Sequence, residues 1–382
     1  MLPADLFGIY LHWPYCRKIC PYCDFNVYAA KSRDPAPLLG ALTADLSAHA
    51  RLTADRRVTS IYFGGGTPSL IPAEQIGVIL SHIDSLWPAD SPIEVTLEAN
   101  PEDVTVEALH QWKAAGINRL SLGIQALDDE ALRFLGRAHT RDEALSATDA
   151  ALSVFDNVSI DMIYARPGQS IDVWLRELET ALATGAPHLS LYELTIKEKT
   201  AFQKQVERMV FEPLDEDAQA DLYLETLKLT AARGLPAYEV SNHAKSEAHW
   251  SRHNLTYWQS GEWLGIGPGA EGRINLESGR TMTRGARRPA DYMASLANGQ
   301  TGWEDTETLP STSDANERLI MGLRSKRGVD RAQLAALYGE DLPEDQVQRF
   351  ISTGHLIERD GRLILTEEGW LLADYIAVEL SP

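Results

Sequence analysis

The sequence predicts an α/β protein: a partial (β/α)6 barrel over 1–195, a connecting α+β region over 196–308, and a small winged-helix-like module over 309–382. Three observations carry this reading. Six short apolar runs alternate with amphipathic stretches in the first part. Beyond residue 195 the texture changes to short Gly-, Trp- and His-rich pieces. From about residue 309 it turns helical again, around two short apolar runs that flank Asp360-Gly361.

In the first part, strands are expected at 7–13, 60–63, 93–98, 119–124, 158–163 and 188–194, with helices at 37–51, 73–87, 106–115, 141–154 and 171–184. Repeated β-α units imply parallel strands joined by right-handed crossovers. A barrel so built carries its functional residues at the C-terminal ends of its strands. The connecting region offers one clear helix, 216–233, and short antiparallel strands at 237–240 and 281–284. The last part predicts helices at 314–324, 330–338, 344–353 and 367–380, and strands at 357–359 and 363–365 joined by the Asp-Gly hairpin signal. Modules of this type often bind DNA, but residues 339–382 are acidic, which favours a packing or protein-contact role.

Composition narrows the function classes. A chain of 382 residues can form one large α/β domain with a small appendage. Its formal net charge of -20 excludes a general nucleic-acid binder, which needs a basic face to displace counterions. No apolar run approaches the ~20 residues that span a bilayer, and the start lacks the basic stretch of a signal peptide. All 3 cysteines lie in one loop, which leaves none for a disulfide framework and implies a reducing compartment. A cytoplasmic protein with a small-molecule or protein partner is expected; peripheral membrane contact and a homodimer both stay open.

That loop is Cys16-Arg17-Lys18-Ile19-Cys20-Pro21-Tyr22-Cys23. Thiolates at this spacing suit soft-metal ligation. A closed zinc site wants four protein ligands, whereas an iron–sulfur cube held by three cysteines leaves one iron open. Zinc with His12 or a distant histidine as fourth ligand is the alternative. Inert core cysteines are another, against which Pro21 and the charged Arg17 and Lys18 speak. After the second strand, Gly64-Gly65-Gly66-Thr67-Pro68 lets backbone approach a ligand closely, although a tight turn would explain it as well. Glu98 and Gln125 end the third and fourth strands, and Arg137 lies in Gly136-Arg137-Ala138-His139. Asp161 interrupts an apolar strand, so it serves either a site or a strand-end salt bridge with Arg137 or Arg119.

The C-x3-C-x2-C spacing directly after Gly8-Ile9-Tyr10-Leu11-His12 resembles the radical S-adenosylmethionine superfamily. The resemblance implies a [4Fe-4S] cluster on Cys16, Cys20 and Cys23, its open iron chelated by the amino and carboxylate groups of S-adenosylmethionine. It places Tyr22 near the adenine and the turn at Gly65, Gly66 and Thr67 on the methionine amino group. Tyr10, Glu98, Gln125, Arg137 and Asp161 complete the implied cofactor set.

Within the superfamily, Tyr10-x5-Cys16, the glycine turn, Glu98-Ala99-Asn100-Pro101, Leu122-Gly123-Ile124-Gln125 and Ile160-Asp161-Met162-Ile163-Tyr164 together are similar to the oxygen-independent coproporphyrinogen III oxidase family, over nearly the whole chain. That family splits into true dehydrogenases and a haem-chaperone branch. The dehydrogenases carry a further cysteine where this chain has Phe25, and a long N-terminal arm where only six residues precede the first strand. His253-Asn254-Leu255-Thr256-Tyr257-Trp258 matches the H-N-x-x-Y-W signature linked to haem binding in the chaperone branch. The resemblance therefore implies a haem chaperone that delivers haem to an acceptor haemoprotein, with His253, Asn254, Tyr257 and Trp258 at the haem. The alternative is oxidative decarboxylation of coproporphyrinogen III propionates to vinyls. No catalytic residue is assigned.

The same segment has content of its own. His243, His249 and His253 precede Tyr257, Trp258 and Trp263; haem iron takes an axial imidazole and a porphyrin face needs aromatic cover. His253 is the axial candidate. A buried histidine–aromatic cluster closing the barrel's open side is the alternative, and His249 with His253 at i, i+4 lacks a third zinc ligand. Propionates on an acidic protein need local cations, and at least two of Arg252, Arg273, Arg284, Arg287 and Arg288 are expected to face the porphyrin.

Overall fold

The first strand, Phe7–Trp13 (β1), is buried at every position except Tyr10, the mark of a strand covered on both faces. In the computed structural model, which describes residues 6–30, 34–87 and 92–382, β1 lies inside an eleven-stranded sheet. On one side follow Ser60–Gly65 (β2), Glu94–Ala99 (β3), Arg119–Gln125 (β4), Val158–Tyr164 (β5) and His188–Glu193 (β6), each parallel to its neighbour. These are the six expected strands. The crossover helices Ala36–Thr53, Ala73–Leu86, Val106–Ala115, Arg141–Val154 and Ile171–Ala183 also fall where expected. Local chemistry fixes several starts. Thr105, Thr140 and Ser170 cap helix N-termini through their side chains, Thr140 in a reciprocal capping box with Glu143.

The connecting region departs from the expectation. The strand expected at 237–240 reduces to isolated bridges; the strand is Asn242–Ala244 (β7), antiparallel to β6. The strand expected at 281–284 is the middle of Gly279–Gly285. That strand and three that the sequence reading missed continue the sheet on the other side of β1. Glu262–Ile266 (β8) runs parallel to β1, and Glu271–Leu276 (β9), Gly279–Gly285 (β10) and Trp303–Thr308 (β11) follow antiparallel. The reasons are physical. β8 pairs with residues more than 250 positions earlier, beyond any local pattern, and β11 is an edge strand whose charged, exposed side chains show no apolar alternation.

The C-terminal module is present. Helices Ser311–Leu323, Arg331–Tyr338 and Glu344–Ser352 accompany the hairpin Leu356–Arg359 and Arg362–Leu365, to which Val329–Asp330 adds a third strand. Asp360 (φ 52°) and Gly361 (φ 72°) both adopt left-handed backbone, as a type I′ turn requires. The single last helix expected at 367–380 is two, Glu367–Trp370 and Ala373–Leu380. The first is pinned: Trp370 Nε1 donates to the Leu323 carbonyl at 3.2 Å, and Gly369 lies so close to the His355 carbonyl that a Cβ would stand 2.0 Å from it. The module is not loosely tethered. Val240 N donates to the Arg324 carbonyl, Lys326 N donates to the Tyr238 carbonyl, and one apolar core runs from β1 into the last helix.

Candidate functional site

At the C-terminal ends of β2 to β6 opens a cavity of about 420 Å³. Cys16, Cys20 and Cys23 all line it, as do Tyr22, Gly65, Gly66, Thr67, Glu98, Gln125, Arg137 and Asp161. Tyr10 alone of the predicted cofactor residues is outside this lining: its hydroxyl meets His12 Nδ1 at 3.1 Å and its ring tilts on Tyr62 and His253.

The cysteine loop is a shaped element. Tyr15–Cys16 pairs in parallel with Tyr28–Ala29, Cys23 N donates to the Cys20 carbonyl, and Phe202 N donates to the Pro21 carbonyl. Burial pushes the Cys16 thiol up and the Cys23 thiol up to about 11, so in the metal-free protein the neutral thiols are favoured and a metal must displace their protons. Arg137 Nη1 points at Cys20 Sγ from 3.4 Å, and its Nη2 donates to Asn100 Oδ1 at 2.6 Å and to the Gly123 carbonyl at 2.9 Å.

The glycine turn shows why small residues are needed there. A Cβ on Gly66 would stand 2.8 Å from the Tyr15 carbonyl, 2.9 Å from the Trp13 carbonyl and 3.0 Å from Cys16 Sγ, and Gly65 holds φ 108°. The N–H groups of Gly65, Gly66 and Thr67 bond to Glu98, the Trp13 carbonyl and the Tyr15 carbonyl. What remains to a ligand at this turn is carbonyl oxygen, which suits an ammonium group.

Glu98 accepts from the Tyr62 hydroxyl at 2.9 Å and from Gly65 N at 3.1 Å. Burial nevertheless pushes its carboxyl from 4.5 up to about 7, with the charge of Asp161 adding to the effect. Asp161 accepts from Ser121 Oγ at 2.7 Å and Ser159 Oγ at 3.0 Å; burial raises it too. The salt bridge considered for Asp161 does not form, since Arg137 is engaged as above and Arg119 donates to Asn157 and to the His249 carbonyl. Gln125 sits at a register shift between β4 and β5 with φ 68°, a left-handed backbone rare outside glycine that aims its amide into the cavity. Tyr62, Asn100, Ser121 and Tyr192 also line the cavity and were missed. Period-two alternation from Glu98 and Gln125 along the strands could have found Ser121 and Asn100.

Glu239 is likewise pushed up to about 7 by burial, although it accepts from the Asn242 amide. Groups whose native pKa is raised confer stability that is fully present below the unfolded value and lost as pH rises through the native one. Buried His188, His243 and His253 pull the other way, because burial lowers their pKa. The clean readout is therefore a difference: Glu98→Gln/Glu239→Gln should gain melting temperature over wild type between about pH 5 and about pH 8. A gap that does not move with pH would refute the two assignments.

The H-N-x-x-Y-W segment forms the helix Arg252–Trp258, capped by Ser251, under the barrel rather than on its mouth. His253 is 1 % exposed. Its Nδ1 meets Ser60 Oγ at 2.9 Å, its Nε2 meets the Tyr257 hydroxyl at 2.7 Å, and its ring packs on Tyr62. His253 thus belongs to a buried histidine–aromatic cluster, at the N-terminal ends of the strands and not at the open side of the barrel, and an iron could reach it only by displacing one of those bonds. Asn254 N is bonded to the Ser251 cap, and Trp258 stacks under Arg324. The arginines expected at the porphyrin have separate partners: Arg252 the Pro92 carbonyl, Arg273 Glu317, Arg284 Asp305, while Arg287 and Arg288 are exposed. Neither zinc alternative is assembled. His12 has both ring nitrogens bonded, and among the described residues no three His, Cys, Asp or Glu side chains gather about a single point.

Comparison with known proteins closes the assignment. The Radical SAM superfamily profile matches residues 10–181, and the HemN C-terminal domain matches 309–372. Heme chaperone HemW of Bacillus subtilis is 31% identical, covering 96% of this chain and 97% of its own, and HemW of Mycobacterium tuberculosis is 35% identical, covering 98% and 95%. The chain belongs to the HemW branch of the radical SAM superfamily. A further relative, Radical S-adenosyl methionine domain-containing protein 1, mitochondrial, of Bos taurus, is 39% identical over 84% of this chain and 74% of its own. The crystal structure of Escherichia coli HemN superposes with a TM-score of 0.82 at 19% identity, covering 99% and 91%, which confirms the fold.

Membership of the HemW branch implies a [4Fe-4S] cluster and S-adenosylmethionine, and the residues present fit both. Three free thiols line one cavity, a soft donor set of the kind that an iron–sulfur cluster takes. Arg137 Nε is buried there with no acceptor. No helix among the described residues is long and apolar enough to cross a membrane.

Proposed function

We propose that this protein is a haem chaperone: it binds haem, a [4Fe-4S] cluster and S-adenosylmethionine, and hands haem to an acceptor haemoprotein. The observation that carries the reading is near-full-length similarity to proteins named heme chaperone, from Bacillus subtilis and Mycobacterium tuberculosis. Phe25 supports it. Where the dehydrogenase branch is expected to carry a further cysteine, this chain sets a phenyl ring, 64% exposed, at the cavity wall.

Cys16, Cys20 and Cys23 would hold the cluster, with Arg137 offsetting thiolate charge at Cys20. When bound, the cluster supplies electrons one at a time and an open iron for the amino-acid end of the nucleoside. The glycine turn then receives the ammonium on its carbonyl oxygens. Glu98 and Asp161, held by Tyr62, Ser121 and Ser159, present carboxylate oxygens to ribose hydroxyls, and Tyr22 and Gln125 border the base. Tyr22 is itself backed by Phe202, so the wall does not yield when a ring lies on it.

Anaerobic titration of the reconstituted protein with haem tests the central claim, and incubation with coproporphyrinogen III, reductant and S-adenosylmethionine tests its rival. Saturable haem binding without vinyl product is expected. Catalytic conversion of propionates to vinyls, or absence of haem binding, would overturn the chaperone reading.

A further inference from the structure

We infer that a second cleft, separate from the cofactor cavity, receives the propionate-bearing edge of the tetrapyrrole; this deepens the haem-binding reading above and rests on it. The cleft lies between the turn that leads into the Arg252–Trp258 helix and the hairpin of the C-terminal module. It has a volume of about 660 Å³, within the range of pockets for drug-sized ligands. Glu247 and Trp250 form one wall, Lys326 and Arg327 stand at the junction, and Ile357 and Arg359 of the hairpin form the other wall.

Its chemistry points to a flat anion. Three cations, Lys326, Arg327 and Arg359, converge on one cleft of a chain whose formal net charge is -20. Two are loosely engaged: Lys326 meets Glu367 at 3.4 Å and Arg327 meets Glu247 at 3.7 Å, with the Glu247 side chain 76% exposed. Exposed pairs of that kind contribute little, so a ligand carboxylate can replace the glutamate at small cost. Arg327 Nε is buried with no acceptor, which leaves the guanidinium a donor to spare. Trp250 supplies a rigid aromatic wall. One face stacks on Tyr238 with centroids 4.8 Å apart and planes 11° apart, and Arg327 lies over the ring at 5.3 Å. A small inorganic anion would leave the apolar lining of Ile357, Ile364 and Leu365 uncovered; a macrocycle with two carboxylates uses both the cationic and the apolar parts of the cleft.

The position also resolves a difficulty in the site described earlier. His253 is closed off, yet the residues just ahead of its helix line this cleft. The backbone bonds between 238–240 and 324–326, with those that the Arg362 guanidinium of the hairpin donates to the Arg327 and Gly328 carbonyls, hold both walls to the same frame, so the seat is formed before any ligand arrives.

The test titrates full-length wild type, Lys326→Glu/Arg327→Glu and Arg359→Glu with ferric haem and with iron-free protoporphyrin IX, which shares the propionates but offers no metal. Cluster content after reconstitution and melting temperature report folding. Both porphyrins are expected to bind the double variant at least about tenfold more weakly, a change of roughly 1.4 kcal/mol, and Arg359→Glu more weakly than wild type. Wild-type affinity in both variants would overturn the cleft while leaving haem binding intact. Failure of wild type to bind haem would overturn the underlying reading, and the cleft with it. Should the double variant misfold, Arg359→Glu decides, because that side chain is exposed on the hairpin and its loss disturbs no packing.

Discussion

Cys16→Ser, Cys20→Ser and Cys23→Ser proteins, reconstituted anaerobically, should each retain iron and acid-labile sulfide at least about 100-fold more weakly than wild type, since loss of a mere supporting contact around a metal already costs roughly 10- to 100-fold. The three thiols line one cavity, and the sequence holds no fourth cysteine to take over a vacated corner. Arg137→Ala provides the graded comparison: the cysteines remain, but Cys20 loses the guanidinium 3.4 Å away. It should weaken retention by about 10- to 100-fold. Iron and sulfide analysis, with zinc measured in parallel, decides the matter. Stoichiometric zinc in wild type, or full iron in any serine variant, would overturn the cluster assignment.

His253→Ala should destabilise the apoprotein by about 2–5 kcal/mol, as deletion of a large buried side chain does. The loss has two parts. A cavity opens beside Tyr10 and Tyr62, and the buried Ser60 and Tyr257 hydroxyls lose the ring nitrogens they meet. Denaturant unfolding and a haem titration on the same preparation separate the two roles of this residue. A large fall in stability with unchanged haem spectrum and affinity is the expected pair of results. Unchanged stability with loss of the bound-haem spectrum would make His253 the axial ligand.

The half of the fold that repeats was legible in the sequence because each β-α unit satisfies its own local rules: an apolar run, a cap such as Thr140 with Glu143, a helix of the right length. The cysteine loop and glycine turn were legible for a different reason, since metal ligation and close backbone approach each admit few residue types. What stayed hidden depends on distant partners. Glu262–Ile266 becomes a strand because β1 offers it an edge, and nothing in its five residues announces that. His253 is the instructive case. Histidine beside tyrosine and tryptophan reads alike for a porphyrin ligand and for a core cluster, and the partners that separate the two, Ser60 and Tyr62, lie almost two hundred positions upstream. Asn100 and Ser121 were within reach of period-two counting, but uncharged side chains attract less notice than Asp161 beside them.

The seating of β8 against β1 also has a bearing on biosynthesis. During synthesis β1 has one flank covered as soon as β2 emerges, yet its other flank must wait for residues 262–266. Through that interval a nascent chain carries an open ladder of N–H and C=O groups next to its cysteine loop, the kind of edge that recruits foreign strands. Any holdase guarding this chain during translation would have to stay until residue 266 has emerged.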